Sequence, residues 1–240
     1  MLVLKIVAWG ITLAVLFGTA GIAFSYWRLT GDINADIDRL VGAARPAVGA
    51  VITAEQLALL PAPAQRYFTY AGVVGTKIPR LVRLTQKGRI RSSAEASWMT
   101  LEADETYSTN PPAFVWRAAF PAPLTPIVLG RDLYLEGRGS ILMKMLALFT
   151  VADEHGDELA AAGLMRYLNE MMWFPAAFLG ANVTITAIDD DSFGVAIADR
   201  GMTAEAVLYV DADGRLTNFR AQRYNTSTAS IETWETPVSA

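Results

Sequence analysis

Three hydrophobic patterns succeed one another along the chain. The first is a run without any charge, IVAWGITLAVLFGTAGIAFSYW, at residues 6–27. At 1.5 Å per residue a helix of this length can cross a bilayer. Tyr26, Trp27 and Arg28 supply the aromatic and cationic boundary expected at a membrane interface. A cleaved signal peptide is the rival, with Gly18 and Ala20 as small residues before a cut, but the apolar run continues past that site. Residues 1–28 are therefore expected to form a transmembrane anchor or signal segment, with the anchor preferred. Lys5 precedes the span, whereas Arg28, Arg39 and Arg45 follow it, so the positive-inside count does not favour an outside domain. A single-pass anchor with an extracytoplasmic domain is the expectation, with its orientation left open.

The second pattern, residues 29–76, is helical and punctuated, and is expected to be a linker region. Residues 30–43 predict a short polar helix leading off the membrane, ended by Arg45-Pro46. Thr53-Ala54-Glu55-Gln56 has capping-box spacing and predicts a helix start at Ala54. Pro61 and Pro63 break that helix, and AQRYFTYAG at 64–72 predicts another, closed by Gly72.

From residue 77 to 240 the period shortens to two. Alternating stretches recur at 80–91, 96–107, 113–119, 131–151, 182–189, 193–199, 203–211, 215–224 and 228–236, which predicts strands in an antiparallel meander. Asp211-Ala212-Asp213-Gly214 and Asp189-Asp190-Asp191-Ser192 mark hairpin turns, and Asn110-Pro111-Pro112 marks a loop. In 131–151 the odd positions from Leu133 to Val151 are apolar or Gly, which fits one long strand that Gly137 and Gly139 let bend. Leu142, Met145, Leu146 and Phe149 fit a helix as well.

One helix interrupts the meander, at about 157–174, with Asp157 as the expected N-cap and Pro175 as the stop. Leu164, Tyr167, Leu168, Met171 and Met172 fall on one side at 100° per residue. Arg166, Asn169, Glu170 and Trp173 fall on the other, with Arg166 and Glu170 one turn apart and able to pair. The fold class expected is α+β, mainly antiparallel β: an N-terminal transmembrane helix, short helices, then a large curved half-barrel-like sheet with one plugging helix.

Composition narrows the chemistry. A net charge of −4 and a pI near 5.1 argue against a nucleic-acid partner. With no Cys and one His, thiolate catalysis, disulfides and Cys- or multi-His-ligated metals are excluded, and no metal or cofactor is expected. Asp153, His155 and Asp157 could form a hard-metal or acid–base site, or simply cap the following helix. Glu102, Asp104 and Glu105 could be catalytic carboxylates, or could pair across strands with the basic row Arg83, Lys87, Arg89 and Arg91. That row could instead meet anionic lipid headgroups. Ser140 lacks the spacing of a nucleophile elbow, and GRGS lacks the Lys of a phosphate loop.

GRGSILMKMLALFTVADEHGDEL, RYLNEMMWFP, DADGRLTNFRAQRY and ETW, preceded by LPAPAQRYFTYAG, resemble an uncharacterised bacterial membrane-anchored family with a domain of unknown function. The resemblance covers roughly residues 57–236. It implies no established chemistry, and it implies that family members continue past residue 240. More loosely, a curved sheet with a plugging helix is similar to the lipoprotein-carrier half-barrels of bacterial envelopes.

These features lead to the expectation of an envelope domain that holds a lipid or other apolar ligand between sheet and helix. Arg166, Tyr167, Asn169, Glu170, Trp173 and Phe174 are the candidate cavity residues. The alternatives are an enzyme using Glu170 or the 153–158 acidic cluster, and a non-catalytic interaction module.

Overall fold

The computed structural model describes residues 2–46, 51–91, 95–121, 127–225, 228 and 230–238. Helix α1 (Leu2–Ala43) is followed by two short helices, α2 (Ala54–Leu57) and α3 (Ala62–Tyr70). Six strands form the first sheet: β1 (Leu81–Ile90), β2 (Met99–Thr109), β3 (Pro112–Phe120), β4 (Val128–Leu135), β5 (Arg138–Met145) and β6 (Phe149–Gly156). Helix α4 (Asp157–Glu170) then leads through two 3-10 turns into the second sheet. That sheet comprises β7 (Val183–Ala187), β8 (Ser192–Asp199), β9 (Met202–Val210), β10 (Leu216–Asn225) and β11 (Ser230–Pro237). Both sheets are antiparallel meanders in which each strand pairs with its neighbours in sequence.

Two sheets thus stand where one large sheet was expected, and α4 explains the division. It packs on β5 of the first sheet and on β9 of the second. One continuous core surrounds it, with Tyr107, Phe114 and Tyr134 from one sheet, Leu164 and Leu168 from the helix, and Phe193, Leu208 and Phe219 from the other. The helix approaches β5 and β4 unusually closely. A Cβ on Gly139 would collide with the backbone of Leu159 and Ala160, and one on Gly163 would lie 3.2 Å from Tyr134. Gly156, without a side-chain cap, occupies the N-cap position, and Asp157 and Glu158 form the first turn. Their charges suit the positive end of the helix dipole.

The long strand expected over 131–151 is three strands joined by two tight turns. Glu136 and Gly137 both have positive φ and make the two-residue connection between β4 and β5. Period-two patterning persists through such a turn, which is why the sequence alone did not separate the strands. The other turn signals correspond directly to structure. Thr53 and Gln56 form the capping box, Gly72 follows α3 with φ +66°, Gly214 turns β9 into β10, and Asp189 accepts hydrogen bonds from the Asp191 amide and the Ser192 hydroxyl.

Helix α1 departs most from expectation. It is one continuous helix, and its second half is not a solvated polar stalk. Leu29, Ile33 and Leu40 are buried against Ala113, Val115, Leu129, Leu133 and Leu135 on the outer face of the first sheet. Every third or fourth residue supplies this contact, while the charges between them point outward or pair with the sheet, Asp36 with Arg131 and Arg39 with Glu136. Strand β3 is consequently covered on both sides: Phe114 and Trp116 face α4, and Val115 faces α1.

Removing residues 1–28 leaves Leu29, Ile33 and Leu40 in place, so the shortened chain is expected to unfold cooperatively. In that chain Ile33→Ala should lower stability by about 2–5 kcal/mol, as for other fully buried aliphatic truncations. An unchanged urea midpoint would mean that α1 does not dock on the sheet.

Candidate functional site

The densest polar constellation lies between α4 and the first sheet. Glu105, Trp116 and Asp132 are opposite one another on β2, β3 and β4, so their side chains form a row across the inner face. Arg166 on α4 lies over that row. Its guanidinium donates to Glu105 at 2.9 Å, to Asp132 at 2.6 Å and, one helical turn on, to Glu170 at 2.8 Å. The ring of Phe114 lies 4.7 Å from the guanidinium carbon and that of Trp116 5.0 Å. Tyr107 donates its hydroxyl to Glu170, and Gln86 bridges Glu105 and the Trp116 indole.

The electrostatics follow from burial. The Glu105 side chain has no exposed surface, whereas those of Arg166 and Asp132 keep 15% and 18% of theirs. Loss of hydration pushes Glu105 up to about 8; the guanidinium of Arg166 opposes the shift and the neighbouring Glu170 adds to it. Burial alone would lower Arg166, but the three carboxylates outweigh it and hold the guanidinium charged. Tyr107 is raised by burial and then by Glu170 and Glu105. Arg223 on β10 reaches the same region, where burial and the charge of Arg166 lower its own value. A proton on Glu105 leaves two guanidinium groups facing two carboxylates, so the cluster is balanced near neutral pH.

The other candidate cavity residues are packed rather than open. The Tyr167 hydroxyl donates to the Ser108 carbonyl, and the Tyr107, Tyr167 and Phe174 rings meet with centroids 4.9–6.2 Å apart. Asn169 donates to Thr236 on β11. Side chains therefore fill the volume where a ligand cavity was expected. Trp173 is a further correction: the helix gives way to a 3-10 turn at Met171, which rotates the indole outward and leaves it 48% exposed.

The remaining candidates separate by strand parity. Lys87 pairs with Glu102, and Asp104 with Arg117, on the outer face of the first sheet. Arg83, Arg89 and Arg91 share that face, with Arg89 and Arg91 over the Trp98 ring. Asp153 and His155 are exposed on the edge strand β6, and Asp157 begins α4. Among the described residues no three His, Asp or Glu side chains converge as a metal site. Glu105 was weighed as one of three neighbouring carboxylates. Glu105 lies 19 residues after Gln86, 27 before Asp132 and 61 before Arg166, and only its inward parity with Ala103 and Tyr107 hinted at these partners.

An open groove lies elsewhere, on the free face of the second sheet. Its volume is about 840 Å³, and Thr184, Thr186, Gly194, Ala196, Thr203 and Val207 line it, with Glu205, Arg220 and Gln222 as its polar groups. Arg220 is held by Glu235 at 2.6 Å.

Two measurements test the cluster. Folded Glu105 keeps its proton to a higher pH than the unfolded chain does. Its stabilising contribution is therefore complete below the ordinary value of 4.5 and is lost as pH rises towards about 8. Unfolding free energies from urea titrations should fall between pH 5 and 8, by at most about 1.4 kcal/mol per pH unit, and Glu105→Gln should flatten the profile. A stability that rises over this range from the same residue would contradict the assignment. Arg166→Met should cost about 3–5 kcal/mol, because it leaves buried carboxylates uncompensated.

No curated protein and no solved structure matches the chain. A family model matches residues 50–240, a region that includes both sheets and α4 and excludes α1. The chain belongs to this family, a family of unknown function designated DUF6544.

Proposed function

We propose that the protein is a membrane-tethered binding domain that takes an amphiphile, such as a lipid, on the free face of its second sheet. The observation that carries this reading is the groove of about 840 Å³. Its size falls within the range of small-molecule sites, and small or methyl-bearing residues line it with a few polar groups at one side. Ala196 and Val207 suit an acyl chain, and Arg220 and Gln222 suit a polar head. Helix α1 supports the tether: its apolar part is long enough to cross a bilayer and has no buried residue before Leu29.

The Arg166 cluster supports a second reading, acid–base catalysis, because Glu105 holds its proton near neutrality. Its side chain has no exposed surface, so a substrate has no approach to it, and ligand binding is preferred.

The full chain, purified in detergent and extracted with organic solvent, should yield stoichiometric amphiphile by mass spectrometry. Ala196→Trp fills the groove from the free face and should reduce that yield about tenfold, equivalent to 1.4 kcal/mol of binding, with an unchanged thermal melt. An empty parent protein, or a yield that Ala196→Trp leaves unaltered, would remove the groove as the site.

A further inference from the structure

A cluster of exposed apolar residues outside α1 lies at one end of the first sheet. The antiparallel register brings the end of β1, the start of β2, the end of β3, the start of β4, the end of β5 and the start of β6 to a common rim. Ile90, Trp98, Met99, Ile127, Leu148 and Phe149 are all exposed there, Phe149 to 60%. The opposite end of the sheet has a different character, with Asn110, Glu136 and Arg138 at its turns.

Helix α1 meets the sheet at the apolar rim. Ser25, Arg28, Leu29 and Asp32 line a pocket with Leu142, Lys144, Ala147 and Leu148. The helix then runs along the sheet to the far end, where the Arg45 amide donates to the Asn110 carbonyl and Arg39 pairs with Glu136. The uncharged run ends at Trp27, with Tyr26 already packed against the sheet and the first buried residue, Leu29, less than one turn on. The rim and the end of the apolar helix are therefore at the same level.

Turn chemistry points the same way. Leu146 and Ala147 have φ of +51° and +58°, a left-handed conformation that favours Gly, Asn or Asp. At the far end Gly137 occupies such a turn. At the rim the sequence is Leu146-Ala147-Leu148-Phe149, all apolar. Ala147 is buried beneath α1, but Leu148 and Phe149 are exposed, and neither hairpin formation nor packing gives a reason for apolar residues there, whereas contact with hydrocarbon does. The flanking residues fit an interface: Arg89 and Arg91 lie 5.7 and 4.8 Å over Trp98, and Arg28 and Lys144 stand beside the pocket under α1.

We propose that this rim is a second membrane contact, in which the β5–β6 turn, the starts of β2 and β4 and the end of β1 dip into the bilayer that α1 spans. The partner is a lipid surface. The domain is thereby held upright against the membrane rather than suspended from it, and the cations of β1 lie among anionic headgroups. The proposal rests on α1 being a membrane span and is independent of the groove.

The chain has no cysteine, so single-cysteine variants of the full chain can each carry one nitroxide label. Leu148→Cys and Phe149→Cys report the rim, Leu13→Cys the interior of the apolar part of α1 and Ala212→Cys the exposed β9–β10 turn. The labelled proteins are reconstituted into vesicles of phosphatidylcholine and phosphatidylglycerol, and collision rates with oxygen and a water-soluble nickel chelate are compared. The expected result is an oxygen-to-nickel ratio at 148 and 149 raised above that at 212 and approaching that at 13. Water-like ratios at the rim with a deep Leu13 would overturn the rim contact and leave the anchor intact. Low collision rates with both reagents would place the rim in a protein–protein contact and overturn the proposal. A water-like Leu13 would overturn the anchor and the rim contact together.

Discussion

The fold turns on a single guanidinium. Arg166 is bound to carboxylates on β2, on β4 and on its own helix, so it specifies both the axial position of α4 and its rotation on the first sheet. A shift of one helical residue would separate the charges inside a mostly apolar core, which is far costlier than sliding a greasy helix over a greasy sheet. The apolar contacts supply most of the attraction, and the polar cluster makes one arrangement distinct. The second sheet then packs on the other side of a helix that is already placed.

That arrangement decides which surfaces remain free. The facing sides of both sheets pack on α4, and the middle of the outer face of the first sheet, over β3 and β4, is covered by α1. The outer face of the second sheet is left, and it is the face that bears the groove. The open groove lies on an uncovered sheet surface and not in the interior, because aromatic rings fill the interior to contact distance around Arg166.

The coupling of α1 to the first sheet gives the domain a direction. An anchor followed by a loose linker would let the domain tumble. With α1 as the proposed anchor, a helix that leaves its apolar stretch and docks within one turn does not, since the membrane normal and the sheet would be tied through a single rigid element. The charged and the apolar ends of the sheet acquire meaning from this geometry, as does the placement of Arg89 and Arg91 on β1.

Much of this was legible along the chain. The uncharged run, the capping box at Thr53, the hairpin turns at Asp189 and Asp211 and the amphipathic pattern of α4 are local, and helix and strand periods, capping and turn preferences act over a few residues. Even the Arg166–Glu170 pair was visible, being one turn apart. Other features were not. Trp173 looked like a cavity residue because a helical period was extended through a 3-10 turn, and residues 30–43 looked like a solvated helix because no local signal says which sheet will cover Leu29, Ile33 and Leu40. The sequence by itself determined most of the elements, the family resemblance and the candidate span, since these depend on neighbours in the chain. Only the tertiary structure decided that Glu105 and Asp132 meet Arg166, that two sheets enclose α4 and that the apolar ends of six strands share one rim. Those facts depend on strand register and helix placement, which are set by contacts between residues far apart in sequence.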